Sequence, residues 1–321
     1  MILPSVAIVV GLVVLLWSAG KFVDGAAGTA RYFGMSPLLI GMLVIGFGTS
    51  APEMIVSVFA ASQGNPGLAL GNAYGSNIAN IALILGLTAL ISPIAVRSEV
   101  LKKELPILLG VTLFSVYQLI DLEVSHDDAY ALLGIFAALM AWSIYSGLNS
   151  DNDALADDVN AEVLDQPIRK NVIILLVGLL LLIASSRLLV WGAVEVATFF
   201  GVSDVVIGLT IIAIGTSLPE LASSLMAVKK GEHELALGNV IGSNLFNTLG
   251  VIGLAGVIAP MNVDPAFLWR DSILMIGLTV ALFIFCIGLK GPGRLNRLEG
   301  GMFVLVYIAY MYFLLASSFS A

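Results

Sequence analysis

Residues 40–57 read IGMLVIGFGTSAPEMIVS, and residues 207–224 read IGLTIIAIGTSLPELASS. The same spacing lays 68–80, LALGNAYGSNIAN, onto 235–247, LALGNVIGSNLFN. A shift of 167 positions aligns 40–93 with 207–260 without a gap, with 24 of 54 positions identical. Upstream, Gly34 and Ser36 fall on Gly201 and Ser203. The chain is an internal duplication, and the number of membrane crossings in each copy decides its fold.

The surrounding composition puts those copies in a bilayer. Of 321 residues, 59% are apolar and 11% charged, with a mean hydropathy of +1.03. Soluble domains run near 45–50% apolar and about 25% charged, so a soluble enzyme is excluded. The single Cys286 excludes an intrachain disulfide framework, and two histidines leave no multi-histidine metal centre. With 14 basic against 22 acidic residues and no long Lys/Arg tract, nothing suggests nucleic-acid binding. A helix needs roughly 20 apolar residues to cross the hydrocarbon. Apolar runs then predict ten spans, near 4–30, 37–62, 67–92, 103–121, 128–148, 171–198, 203–228, 234–259, 267–289 and 298–318. No basic residue precedes Lys21, so the first run reads as a retained helix rather than a cleaved signal.

Basic residues orient these spans. Eleven of the fourteen fall in loops after odd-numbered spans: Arg31, Arg97, Lys102, Lys103, Arg169, Lys170, Lys229, Lys230, Lys290, Arg294 and Arg297. The expectation is a cell (inner) membrane protein with both termini outside. The acidic stretch 149–170 is then a cytoplasmic linker between a first five-helix repeat, 1–148, and a second, 171–321. It lacks the ligand spacing of an EF-hand. Five crossings is an odd number, so the second copy must enter from the opposite side. Inverted repeats of this kind are common in secondary transporters. The expected class is an all-α membrane protein of ten helices in two inverted repeats.

The repeated polar segments carry the chemistry. Pro52 and Pro219 lack an N–H and crowd the preceding turn, so each helix is expected to break there and free carbonyls near Thr49 and Thr216. Thr49, Glu53 and Ser57 share a face at four-residue spacing, as do Thr216, Glu220 and Ser224. Asn72, Ser76 and Asn80 repeat as Asn239, Ser243 and Asn247, supplying neutral oxygens. Gly71, Gly75, Gly238 and Gly242 read as helix-packing positions. Lys21 and Asp24 are spaced to pair on one helix face or to snorkel to the inner surface, and Arg187 and Glu195 read as structural. A carboxylate at mid-membrane costs at least about 2.5–3.5 kcal/mol, and no matched basic position neutralises Glu53 or Glu220. Two carboxylates with hydroxyls and carbonyls make an all-oxygen site suited to Ca²⁺ or Na⁺.

On G-T-S-x-P-E and G-N-x-x-G-S-N, each present twice, the chain resembles the sodium/calcium exchanger family of compact prokaryotic type, within the calcium/cation antiporter superfamily. The resemblance covers essentially the whole chain. It implies that helices 2, 3, 7 and 8 are broken and form the ion site, while spans 1 and 6 slide across them. It further implies that Glu53 and Glu220 bind Ca²⁺ and share in Na⁺ sites, and that Thr49 and Thr216 lend carbonyls. Ser50, Ser217, Ser76 and Ser243 would be Na⁺ ligands, Gly46 and Ala213 would lend outer carbonyls, and Asn80 and Asn247 would form the central polar pair. Some relatives carry Asp at the second of these positions. Asn there leaves two central carboxylates and implies potassium independence.

The expected function is exchange of Na⁺ for Ca²⁺ by alternating access, with no enzymatic activity, no cofactor, and no partner beyond the two ions and the lipid bilayer. A proton/calcium exchanger of the same fold is the alternative, since buried glutamates also carry protons. A passive cation channel is a remoter one. The Y-D and G-x-G-D motifs of an intramembrane aspartyl protease are absent.

Overall fold

Unbroken apolar sequence leaves the backbone of each span no partner but itself, and helices result. In the computed structural model, residues 2–96, 101–148, 167–201, 213–287 and 293–320 are described. In chain order the helices are α1 (Ile2–Phe33), α2 (Pro37–Ser62), α3 (Pro66–Ile91), α4 (Leu101–Gln118), α5 (His126–Leu148) and α6 (Ile168–Phe199). A short turn, Ala213–Thr216, precedes α7 (Leu218–Lys229), followed by α8 (His233–Ile258), α9 (Pro265–Cys286) and α10 (Arg297–Ser320). Eight of these, all but α4 and α7, are long and apolar enough to cross a membrane. The acidic run 151–165, Ser203 and the first part of the seventh predicted span lie outside the described residues.

α1 and α6 have 32 residues each. At 1.5 Å per residue each is about 48 Å long, well beyond a hydrocarbon core about 30 Å thick, so each is long enough to cross at a tilt or to project beyond it. They pack on each other through glycines. A Cβ on Gly11 would lie 2.9 Å from Leu189 Cβ, and one on Gly178 would lie 2.7 Å from Phe22 N. One on Gly25 would meet Asn171 O at 2.9 Å, and one on Gly192 would meet Pro4 O at 2.7 Å. As the residue number rises along α1 it falls along α6, so the pair is antiparallel. Gly11 and Gly178 are 167 positions apart, as are Gly25 and Gly192, and so are their partners Phe22 and Leu189, and Pro4 and Asn171. Exchanging the two halves therefore maps these contacts onto one another.

The same exchange holds at the turns. Gly34 and Gly201, at φ 62° and 77°, end α1 and α6; Gly64 and Gly231, at 81° and 80°, end α2 and α7. Glycine alone adopts this left-handed conformation without a Cβ penalty. Strand β1 (Ile94–Ala95), after α3, pairs antiparallel with β4 (Arg294–Leu295), before α10. Strand β2 (Glu123–Val124), before α5, pairs antiparallel with β3 (Met261–Asn262), after α8. Each ribbon thus stitches one half of the chain to the other.

The expected breaks take a different form. α2 runs through Pro52 without interruption; the disturbance lies just upstream, where Gly41–Gly46 opens into a π-type turn. In the second copy the helix stops at Ser217, and Pro219 sits in the first turn of α7, where a missing N–H breaks no hydrogen bond. α3 and α8 are continuous, each with a π segment, Ala79–Leu85 and Phe246–Val251. A π turn inserts one residue into the ladder and is frequent at functional sites. Three of the four expected breaks are therefore widened turns.

Ion pairs also differ from expectation. Asp24 bonds Lys230 at 2.5 Å rather than Lys21, and Arg31 meets Glu232 at 2.6 Å, so both tie α1 to the α7–α8 end. Buried Asp271 is bracketed by Arg270, at 2.7 Å, and by the Tyr310 hydroxyl, also at 2.7 Å.

Candidate ion site

α2, α3, α7 and α8 place the repeated polar residues in the core. Glu53 and Glu220 are each 1% exposed, and Thr49, Ser50, Ser76, Asn80, Ser217, Ser243 and Asn247 are buried with them. Close helix approach makes this possible. A Cβ on Gly238 would stand 2.3 Å from Leu38 O, one on Gly242 2.4 Å from Met42 O, and one on Gly46 2.9 Å from Ser243 N. The packing role expected of Gly238 and Gly242 is therefore realised. For Gly71 and Gly75 a Cβ meets nothing within 4 Å among the described residues.

Bonds between the halves close one flank of the site. Ser50 Oγ donates to Glu220 Oε1 at 3.4 Å. Thr49 Oγ1 lies 3.2 Å from Asn239 Oδ1 and 3.4 Å from Ser243 Oγ, and Ser243 Oγ is 3.5 Å from Gly46 O. Within each half, an asparagine caps the glutamate's own carbonyl. Asn72 Nδ2 donates to Glu53 O at 3.4 Å and to Ser57 Oγ at 3.1 Å. Asn239 Nδ2 donates to Glu220 O at 3.2 Å and to Ser224 Oγ at 2.9 Å. The carbonyl freed at the α7 break, Gly215 O, takes Ser186 Oγ from α6 at 3.0 Å.

What remains is a set of buried oxygens with no hydrogen-bond partner: Glu53 Oε1 and Oε2, Glu220 Oε2, Asn80 Oδ1, Asn247 Oδ1, Asn77 Oδ1 and Ser217 Oγ. Buried acceptors are seldom left unpaired, because desolvation then goes uncompensated. Seven of them, three on carboxylates, suit a hard cation better than any neutral ligand. Among the described residues no three His, Cys, Asp or Glu converge, so a cation held here would draw on two carboxylates and neutral oxygens. Thr216 faces a cavity of about 390 Å³, lined also by Pro52, Ser186, Arg187, Trp191 and Pro219. Ala213 begins the short turn before α7.

Asn77 and Asn244 were not singled out by sequence reasoning. Their place inside G-S-N beside Ser76 and Ser243 was the available signal. Both are buried at the crossing of α3 and α8 and bond between the halves, Asn77 Nδ2 to Thr248 Oγ1 at 2.8 Å and Asn244 Oδ1 from Asn80 Nδ2 at 3.0 Å.

Known proteins match nearly the whole chain. CaxA of Alkalimonas amylolytica is 46% identical over 319 residues, covering 99% of this chain and 100% of its own. The sodium/calcium exchanger MaX1 of Methanosarcina acetivorans is 30% identical, covering 95% and 96%. The sodium-calcium exchanger NCX_Mj, solved after a soak in 2.5 mM Na⁺ and 0.1 mM Ca²⁺, superposes with a TM-score of 0.84 at 31% identity over 97% and 98% of the two chains. The sodium/calcium exchanger protein family model matches residues 4–145 and 170–316. With both halves matched and the fold shared, the chain belongs to the sodium/calcium exchanger family and is a membrane cation antiporter by descent.

Proposed function

We propose that this chain exchanges Na⁺ for Ca²⁺ at one central, competitive site built around Glu53 and Glu220. The single observation that carries the reading is the three carboxylate oxygens buried without a partner. One Ca²⁺ or several Na⁺ would neutralise the pair, so each ion displaces the other. α1 and α6 would slide past a compensated site more easily than past a bare one, since uncompensated charge at mid-membrane is costly. That difference favours exchange over leak.

The accompanying architecture is ten crossings in two inverted units, 1–148 and 171–321, with both termini outside and 149–170 in the cytoplasm. The antiparallel α1–α6 pair and the exchanged glycine contacts support the inversion. The lopsided loop charges support the orientation. Thr49, Thr216, Gly46 and Ala213 would lend carbonyl oxygens, and Ser50, Ser217, Ser76, Ser243, Asn80 and Asn247 side-chain oxygens. Movement of α1 and α6 along their shared glycine seam would expose the site to one side and then the other.

The test is radiolabelled Ca²⁺ uptake into Na⁺-loaded proteoliposomes diluted into Na⁺-free buffer, beside K⁺-loaded and pH-gradient controls. Uptake that requires internal Na⁺ is expected. Uptake that ignores Na⁺ and follows the proton gradient would assign the coupling ion to H⁺, and flux without any counter-ion would indicate a channel.

A further inference from the structure

We propose that Asn244 is a positioning residue for the ion site, setting which face of the Asn80 amide is presented to a cation. The inference rests on the reading of Asn80 as an ion ligand. An amide can offer either an oxygen or an NH₂, and only the oxygen serves a cation. Asn80 is 1% exposed and has no solvent to choose for it. Its Nδ2 donates to Asn244 Oδ1 at 3.0 Å, which leaves Asn80 Oδ1 without a partner. Asn244 in turn is oriented by its own Nδ2, which reaches the backbone carbonyl of Asn77 at 3.5 Å. A carbonyl only accepts, so the relay has one polarity: Asn77 O fixes Asn244, and Asn244 fixes Asn80.

The relay is one-sided. By the 167-residue shift, Asn77 stands in the second half's copy of this role, opposite Asn247. Yet Asn77 Nδ2 is engaged by Thr248 Oγ1 at 2.8 Å, and Asn77 Oδ1 and Asn247 Oδ1 both lack partners. The residue matching Thr248 in the first half is Ile81, which has no hydroxyl to divert Asn244. Asn80 is therefore held in register while Asn247 is not held by this route.

A double-mutant cycle tests the relay, because residues acting through one another give non-additive effects. Wild type, Asn80→Ala, Asn244→Ala and the double variant would be reconstituted, and half-saturating Ca²⁺ and maximal rate read separately. Supporting residues of a metal site typically contribute about 10–100-fold in affinity. The expected result is a rise of roughly tenfold in half-saturating Ca²⁺ for each single variant, with no further rise in the double. Asn244→Asp keeps an oxygen for Asn80 Nδ2 and only in its protonated form a donor for Asn77 O, so its half-saturation should weaken less than that of Asn244→Ala; Ca²⁺-induced thermal stabilisation in detergent gives the same ranking without transport. Additive effects, an unchanged Asn244→Ala, or an Asn244→Asp as weak as Asn244→Ala would overturn the relay. An unchanged Asn80→Ala would instead overturn the reading of Asn80 as a ligand, and the relay with it.

Discussion

The hydroxyl of Ser50, in the first half of the chain, donates to Glu220 Oε1, in the second half, across 3.4 Å. The two residues are 170 positions apart and share no helix. The bond leaves Glu220 one free carboxylate oxygen and Glu53 two, so the halves contribute unequally to a site that their sequences repeat. A hydrogen bond to a charged acceptor contributes about 1.5–3 kcal/mol. Ser50→Ala should therefore weaken ion binding while leaving maximal rate nearly unchanged, which Na⁺ and Ca²⁺ titrations of uptake would show.

Glu53→Gln and Glu220→Gln each keep the side chain's shape and remove its charge. Each should reduce Ca²⁺ uptake by more than the roughly 10–100-fold typical of a supporting residue, with the protein still eluting as a single folded species. Full uptake in either variant would refute the two-carboxylate site.

Orientation has its own check. Gln63 and Lys229 are both exposed, at the outer and inner ends expected for α2 and α7. In a background with the buried Cys286 replaced by Ser, Gln63→Cys should react with an impermeant maleimide on intact cells. Lys229→Cys should react only after permeabilisation. The reverse pattern would invert the topology.

Gly242→Ala puts a methyl group 2.4 Å from Met42 O, a backbone atom that cannot rotate away. Overpacking of this kind costs about 1–3 kcal/mol. Thermal melting in detergent should show a clear loss of stability. Gly134→Ala, at an exposed glycine of α5 with nothing within 4 Å among the described residues, should stay within about 0.5 kcal/mol of wild type.

Tyr310→Phe removes the hydroxyl that donates to buried Asp271 at 2.7 Å. The expected cost is about 1.5–3 kcal/mol of stability, again read by melting. Transport per folded molecule should be unchanged, since α9 and α10 hold none of the candidate ion ligands.

The primary structure alone determined the duplication, the membrane setting and the identity of the residues in the core. These follow from apolar run length, from the 167-residue register and from the cost of leaving Glu53 and Glu220 unpaired in hydrocarbon. Proline chemistry also reads from the sequence, but its outcome does not. Pro52 lies inside a continuous helix and Pro219 in the first turn of one. The same residue in the same motif behaves differently because neighbouring turns and packed helices can absorb the lost hydrogen bond in more than one way. Asp24 shows the same limit. Helix spacing offers it Lys21, but the tertiary packing brings Lys230 within 2.5 Å. The partners of Asn80, Asn244 and Ser50 likewise lie some 160–170 positions away. Which amide face or carboxylate oxygen is left free depends on those distant donors, and only the packing of one half against the other supplies them.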